Sequence, residues 1–194
     1  QVRIGTSKFT FHPGIGLGMD KFKFLNFNQY FANDTIEGKV PTLAFDNAGN
    51  TRFVEAVHYI YDADTLGQPD WSLTYETRKS MLSMNYLDIP IEFRFNTNPE
   101  DPARSFKVAL GGKVGYLIGS HTKLKYKEDG ETKTLKNHQD FNLNPFRYSA
   151  YMKIYFGNFG IFGNYNFNPM FKDDLGPAQT KTSYYTVGIS LSSF

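Results

Sequence analysis

Large apolar residues occupy every second position over long stretches of this chain. In the segment YLDIPIEFRF they alternate with Asp88, Glu92 and Arg94. A period of two residues is typical of a β-strand whose two faces meet different environments. Residues 2–8 and 53–61 give only weak strand patterns. The clear alternation predicts six strands, at about residues 9–24, 83–95, 105–127, 144–156, 159–168 and 183–193.

Short turns and long connections alternate along the second half of the chain. Gly157-Asn158 is a two-residue hairpin signal, and residues 96–104 form another short polar turn. Because no repeat or linker divides the chain, we predict one domain over residues 1–194. The first long connection is then a loop and the second a hairpin arm. These connections lie at about 28–78, 120–140 and 169–182.

Two irregularities interrupt the alternation. Pro90 lies inside a predicted strand, where it removes a hydrogen-bond donor from the ladder. Near Lys21 the apolar residues move from odd-numbered to even-numbered positions, because Phe22 and Phe24 are the next apolar residues of the pattern. An extra residue in one strand produces such a change, so each irregularity predicts a β-bulge.

The two faces of the strands differ in charge. From residue 87 onward the apolar faces contain no charged residue. In a soluble sandwich the charged face would meet water, whereas in a transmembrane barrel it would line the lumen and the apolar face would meet lipid. Alternation alone leaves both architectures open. The charged residues of the opposite faces are Asp88, Glu92, Arg94, Lys107, Lys113, Arg147 and Lys153.

Two further features favour the membrane barrel. Aromatic residues flank the apolar faces, as Phe106 and Tyr116 do on one strand, like the interfacial girdles of outer-membrane barrels. The charged faces also carry small residues such as Gly111, Gly115 and Ser149, which suit a narrow interior. The sequence therefore predicts that the apolar faces meet lipid.

Composition narrows the class of protein further. The 194 residues carry a formal net charge of +2 and resemble no phosphate-binding or base-stacking module, which argues against a nucleic-acid partner. Aromatic residues make up 17% of the chain, and there is no cysteine, which is compatible with a periplasmic or surface setting. No stretch is apolar enough for a transmembrane helix, but a barrel strand needs only about 9–11 residues of alternating character.

Several segments together resemble a known family. YLDIPIEFRF, LGGKVGYLIGSHTKLKY, the DFNLNPFR segment and the closing YTVGISL are similar to the PorT-like outer-membrane β-barrel family, over about residues 9–27 and 79–193. This resemblance implies an all-β, transmembrane antiparallel up-and-down barrel of eight strands in the outer membrane of a Gram-negative bacterium. Two strands expected at the N-terminal side are then missing or weak here.

The hairpin arm carries a group of basic residues. The segment HTKLKYKEDGETKTLKNH folds about Asp129-Gly130, a type I′ turn signal. One interpretation is a site for lipopolysaccharide phosphates or a protein partner, and the other is a solvated hairpin whose lysines prevent edge pairing. A metal at the two histidines would need further ligands, with Asp140 the nearest, and we predict none. The residues that share one face are His121, Lys123, Lys125, Lys127, Lys136 and His138.

The charged lumen also allows two interpretations. Its residues form either a conducting pore or a closed network of ion pairs. Because the interior of a small barrel is filled by its own side chains, and isolated buried charges are costly, the sequence favours the closed network. The aromatic residues of the long loop either anchor a partner or pack over the barrel mouth. These aromatic residues are Tyr59, Tyr61, Trp71 and Tyr75.

The resemblance also suggests a role. The family's namesake is an accessory of the type IX secretion machinery, so we expect a non-enzymatic scaffold or accessory subunit of an envelope assembly for secretion or outer-membrane protein handling. The expected partners are lipid, lipopolysaccharide, and outer-membrane or periplasmic proteins, with no cofactor and no catalytic residue. The alternatives are a stand-alone barrel that interacts at the surface and, second, an enzyme that modifies lipid A. His12 and His58 are isolated in sequence, which argues against the enzyme.

Overall fold

The computed structural model is an all-β chain. It describes residues 2–3, 8–24, 29–31, 34–36, 40–56, 75–101, 104–128, 130–179 and 181–191. A single 3-10 turn, Pro177–Gln179, is present in the last long connection. The strands are β1 (Val2–Arg3), β2 (Phe9–Pro13), β3 (Gly16–Phe24), β4 (Gln29–Phe31), β5 (Asp34–Ile36), β6 (Pro41–Phe45), β7 (Thr51–Glu55), β8 (Tyr75–Asn96), β9 (Phe106–Glu128), β10 (Glu131–Asn137), β11 (Phe146–Phe156), β12 (Phe159–Asn166) and β13 (Tyr185–Leu191).

One antiparallel sheet of nine strands contains the six strands predicted from the sequence. Its order is β1-β2-β8-β9-β11-β12-β13, with β3 also on β8 and β10 also on β9. Between β3 and β8 lie two small hairpins, β4–β5 and β6–β7, within the segment predicted as a long loop. Short turns connect the strands at one end of the sheet, and the long connections lie at the other. We name these the short-turn end and the long-loop end.

Pro90 stays in register, so the prediction of a bulge there is wrong. Pro13 pairs with Ile91 and Gly16 pairs with Asp88, which keeps one register across the proline. The Gly14 amide donates to the Pro90 carbonyl at 3.0 Å, but the proline has no N–H to return a bond. The loss of that single bond separates β2 from β3 at Gly14, and β8 continues unbroken. The register shifts of β8 against β9 occur instead between Thr77 and Lys79 and between Asn85 and Tyr86.

The bulge predicted near Lys21 is also absent. β3 pairs with β8 in one register from Gly16 to Phe24, so Phe22 and Phe24 remain on the inward face. Both rings pack against a buried apolar cluster at the long-loop end. The change of parity in the sequence therefore marks a change in what the inward face contacts, from polar groups to an apolar core.

The distribution of side chains on the two faces agrees with the prediction. Ile91 is 46% exposed on the outer face, whereas its neighbour Glu92 is 4% exposed inside. Aromatic residues flank the outer apolar belt: Phe106 and Phe156 lie towards the short-turn end, and Tyr116 lies towards the other. Among the described residues no helix is long and apolar enough to cross a membrane.

Apolar side chains close the long-loop end. Leu43 from the β6–β7 hairpin, Phe141 and Phe171 pack against Leu82 and Met84 of β8. Hydrogen bonds join the loops to one another, because the Thr51 amide donates to the Leu175 carbonyl at 2.8 Å and the Thr51 hydroxyl to the Phe141 carbonyl at 2.7 Å. We call this set of loops the cap, defined as residues 40–56, 138–145, 167–179 and 181–184.

β3 and β13, at opposite edges of the sheet, approach each other without a described hydrogen-bond ladder. Tyr184, which precedes β13, donates to Asp20 Oδ2 on β3 at 2.9 Å. Its ring also lies 5.0 Å from that of Phe22, edge to face. Side chains therefore connect the two edges where the cap begins.

The substitution Ile91→Arg tests whether the outer face meets lipid. A cation at the bilayer midplane of a barrel costs about 2–4 kcal/mol. We therefore expect this variant to lower the free energy of unfolding in lipid vesicles by about that amount, measured by urea titration of tryptophan fluorescence. The matched control is Ala48→Arg on the exposed tip of the β6–β7 hairpin, which we expect to change stability by less than about 0.5 kcal/mol. Equal effects of the two substitutions would contradict a lipid-facing Ile91.

Candidate functional site

An arginine at the centre of the lumen joins two carboxylates. β11 directs Arg147 inward and β8 directs Asp88 towards it, because both residues lie on the inward parity of their strands. Arg147 Nε donates to Asp88 Oδ1 at 3.1 Å and Nη2 to Oδ2 at 2.5 Å, a bidentate pair. Nη1 donates to Asp20 on β3. Lys113 Nζ on β9 lies 3.9 Å from Asp88 Oδ2, so two cations and two carboxylates from four strands meet here.

Small residues make room for this ion-pair cluster. A Cβ atom at Gly18 or at Gly115 would overlap with the side chains of Arg147 and Asp88. The aromatic ring of Tyr86 lies beneath the guanidinium, 3.9 Å from ring centroid to Cζ, in cation–π geometry. The glycines predicted to suit a narrow interior therefore have a specific purpose, which is to admit the ion pairs.

A second cluster lies closer to the short-turn end. Glu92 accepts a hydrogen bond from Arg94 Nη2 at 2.7 Å and another from Lys153 Nζ at 2.7 Å. Lys153 lies 4.6 Å from the centroid of the Tyr151 ring, which fills the space above Gly111. The carboxylate is buried, and two cations balance its charge.

Lys107 lies at the short-turn end of the lumen. Its side chain is fully buried, and Nζ donates to the Gly157 carbonyl at 3.1 Å, at the short-turn end. The structure therefore divides the seven predicted lumen residues into two ion-pair clusters and one lysine that contacts the turn. Asp20 and Tyr184 were missed, because a bulge was expected beside Asp20. The sequence does contain a signal for Asp20, because this residue lies on the same face of the strand as Gly16 and Gly18.

The hairpin predicted for the arm is confirmed, because β10 pairs antiparallel with the end of β9. Thr132 lies opposite Lys127, Leu135 opposite Leu124, and Lys136 opposite Lys123. The His121 and His138 rings lie 5.1 Å apart, centroid to centroid, on the outward face. Gly130 has a φ of +89°, as a tight hairpin turn requires, while Asp129 lies outside the described residues.

The outward face of the arm has a positive potential. Partial burial first, and then the positive charges of His138, Lys136 and Lys123, lower the pKa of His121. This ring lies beyond the apolar belt, towards the long-loop end, and is neutral at pH 7 because its pKa lies below the ordinary histidine value. The lowered pKa thus follows from partial burial together with several cations that share one small area.

The histidine pair has no third ligand among the described residues. Asp140 Oδ2, the nearest candidate predicted from the sequence, lies 3.6 Å from Lys172 Nζ. Within the part of the chain that the structure describes, no group of three His, Cys, Asp or Glu side chains is placed to hold a metal ion. His12 contacts Thr10, with Nε2 2.8 Å from the hydroxyl, whereas His58 lies outside the described residues.

A comparison of the chain with protein families agrees with the geometry of the two faces of the sheet. The model of the outer membrane protein beta-barrel domain family matches residues 1–172. The chain belongs to this family. Its apolar outer belt is therefore the surface that meets lipid, and the barrel resides in the outer membrane of Gram-negative bacteria. Comparisons of the chain with curated proteins and with solved structures return no match.

Family membership also orients the barrel. In bacterial outer-membrane barrels the short turns face the periplasm and the longer loops face the outside. The cap and the arm of this outer-membrane barrel are therefore extracellular, and the turn at Gly157 is periplasmic. The cluster around Arg147 lies between them, within the membrane.

The coupling between Arg147 and Asp88 can be measured by a double-mutant cycle. Arg147→Met leaves Asp88 and Asp20 without their shared cation, so we expect it to cost about 3–5 kcal/mol of unfolding free energy in lipid vesicles. Combining it with Asp88→Asn removes one of the uncompensated charges. The double variant should therefore be more stable than Arg147→Met alone.

The control for this cycle is Lys181→Met in the cap, whose side chain is largely exposed beside Asp173. We expect this substitution to change stability by less than about 0.5 kcal/mol. Additive effects of the two lumen substitutions would show that the ion pair carries no coupling energy.

Proposed function

We propose that this protein is a closed, non-enzymatic outer-membrane barrel that serves as a scaffold or accessory subunit of a larger envelope assembly. The observation that carries the proposal is the filled interior, in which paired charges occupy the lumen and the cap covers the extracellular mouth. Such a barrel has little space for transport, so its surfaces remain available for contacts with other molecules.

The paired charges support a closed lumen. Each described carboxylate in the membrane-spanning part, at positions 20, 88 and 92, is engaged with at least one cation. Large inward rings such as Tyr151 and Tyr155 fill the space beside the lumen glycines. A conducting pore needs a wide, hydrated path, and the ion pairs and inward rings argue against one here.

The same contacts argue against catalysis. A general base needs a carboxylate or imidazole that is free to accept a proton from a substrate. Asp88 and Glu92 are instead held by arginine and lysine, and the cap lies between Asp88 and the outside. These contacts favour a structural role over the modification of lipid A.

The choice of assembly rests on resemblance. The segments YLDIP, GSHTK, DFNLNPFR and YTVGISL are those that resemble the PorT-like barrels, whose namesake is an accessory of type IX secretion. We therefore propose protein secretion or outer-membrane protein handling as the setting, with outer-membrane or periplasmic proteins as partners. The runner-up is a stand-alone barrel that interacts at the cell surface through its cap.

Conductance in planar bilayers tests the closed lumen. We expect no stable, large, ohmic conductance from the wild-type barrel. We expect none from Phe141→Ala either, although loss of this buried ring should cost the cap about 3–5 kcal/mol. Stable channels formed by the wild type would overturn the closed lumen. Channels formed only by Phe141→Ala would show that the cap, rather than the ion pairs, closes the barrel.

Co-purification tests the accessory role. The tagged full-length chain is extracted from native membranes in a mild detergent, and its mass is measured by size exclusion with light scattering. An accessory subunit migrates with defined partner proteins in fixed ratio. A barrel that is monomeric after gentle extraction and after cross-linking in whole cells contradicts the proposal and favours the stand-alone alternative.

A further inference from the structure

The sheet gathers lysines from four strands on its outer face, just beyond the apolar belt. Lys23 on β3 lies opposite Met81 on β8, Met81 lies opposite Lys123 on β9, and Lys123 lies opposite Lys136 on β10. Two residues farther out, on the same face, Lys79 pairs with Lys125. We call this surface the cationic band, and its members are Lys21, Lys23, Lys79, Lys123, Lys125 and Lys136.

Like charges stand directly opposite each other in the band. Lys123 faces Lys136, and Lys79 faces Lys125, at positions where equal charges destabilise a sheet. Lysines on an edge strand prevent pairing with other chains, which accounts for Lys136 on β10. It does not account for Lys123 and Lys125, because β9 is paired on both sides at this height. A bound anion offsets the repulsion between such cations.

One outward acidic position lies next to the band, because Glu76 on β8 pairs with Lys127 on β9, one row beyond Lys79 and Lys125. Between the lysines lie Met81 and Ser83, both nearly buried, and the imidazoles of His121 and His138. Within the described rows of the band itself, no outward position of β3, β8, β9 or β10 is Asp or Glu. Partial burial lowers the pKa of His121, and the positive charges of Lys136, Lys123 and Lys21 lower it further. Glu76 lies opposite Lys127, which is not a member of the band, so the described rows keep an excess of positive charge that an external anion would offset.

The height of the band in the membrane is fixed by the register. Along β3 the outward residues are Leu17 and Met19, both highly exposed, followed by Lys21 and Lys23. The apolar belt thus ends at Met19, and the band begins at the next outward position, Lys21, towards the extracellular end of the barrel. A lysine there buries its aliphatic stem against lipid chains and holds its ammonium group at the level of the headgroups.

We propose that the cationic band binds the phosphate groups of lipopolysaccharide in the outer leaflet. At about 4.8 Å between neighbouring strands, the row from Lys23 to Lys136 spans about 14 Å, enough to contact more than one phosphate of a lipid headgroup. The ligand's acyl chains would lie on the apolar belt immediately below. The band thereby extends the arm predicted from the sequence with lysines from β3 and β8.

Retention of lipid A by the purified full-length barrel tests this proposal. The variant replaces one row, Lys23→Gln with Lys123→Gln and Lys136→Gln. The matched control removes the same number of charges from the cap, by Arg52→Gln with Lys172→Gln and Lys181→Gln. Bound lipid is measured by native mass spectrometry with lipid A that carries two phosphates and with lipid A from which they have been removed. Heat-modifiable migration in gels verifies that each variant is folded.

A basic residue near an anionic surface contributes about fivefold to binding, so we expect the row variant to retain at least about tenfold less phosphorylated lipid A than the wild type. The control variant should stay within about twofold. Lys123→Gln alone should lose about fivefold, and it replaces the row variant if that variant does not fold.

Three outcomes would overturn the proposal. The wild type could retain phosphorylated and dephosphorylated lipid A equally, which would mean that only the belt binds lipid. The row and control variants could lose retention equally, which would mean that total charge decides. Finally, inorganic phosphate at equal concentration could displace the lipid, which would mean that the band is a site for free phosphate.

Discussion

The need to pair charges inside a narrow barrel governs much of this structure. An arginine side chain in a lumen that its own neighbours fill must find carboxylates, since an unpaired buried charge costs several kcal/mol. Arg147 finds Asp88 on one strand and Asp20 on another. Glycines at 18 and 115 leave the room that these groups occupy. The register of β3, β8, β9 and β11 is thereby tied to a few side chains at the barrel centre.

The interior changes character along the barrel axis. Around Glu92 and Asp88 the inward face is charged, whereas beyond Tyr86 it becomes apolar, with Leu82 and Met84 packed against the cap. β8 has 22 residues and β9 has 23, about twice what a membrane crossing needs. The additional length forms a sheet outside the bilayer, and its inward face needs an apolar partner. The cap is that partner.

Sequence periodicity predicted the strands and the two faces, because the alternation from Leu87 to Phe95 depends only on neighbouring residues. It predicted the arm for the same reason, since a tight turn at Gly130 fixes which residues face each other. It was wrong at Lys21, because a bulge and a change from polar to apolar surroundings produce the same change of parity. It also missed the lysines of β3 and β8 in the band, since their position beside the arm depends on pairing between segments far apart in sequence.

The cap and the cationic band depend on each other through the extended sheet. Leu82 and Leu124 point inward from the strands that carry Met81 and Lys123 on the other side. Packing behind the sheet removes the freedom of the strands to twist or separate, so the repulsion between Lys123 and Lys136 cannot be relieved by moving the backbone. The lysines are thus held at fixed spacing while their flexible ends reach the membrane surface. A rigid row of cations above an apolar belt is complementary to an anionic lipid, whereas a mobile loop with the same charges would lose affinity to the entropy of ordering.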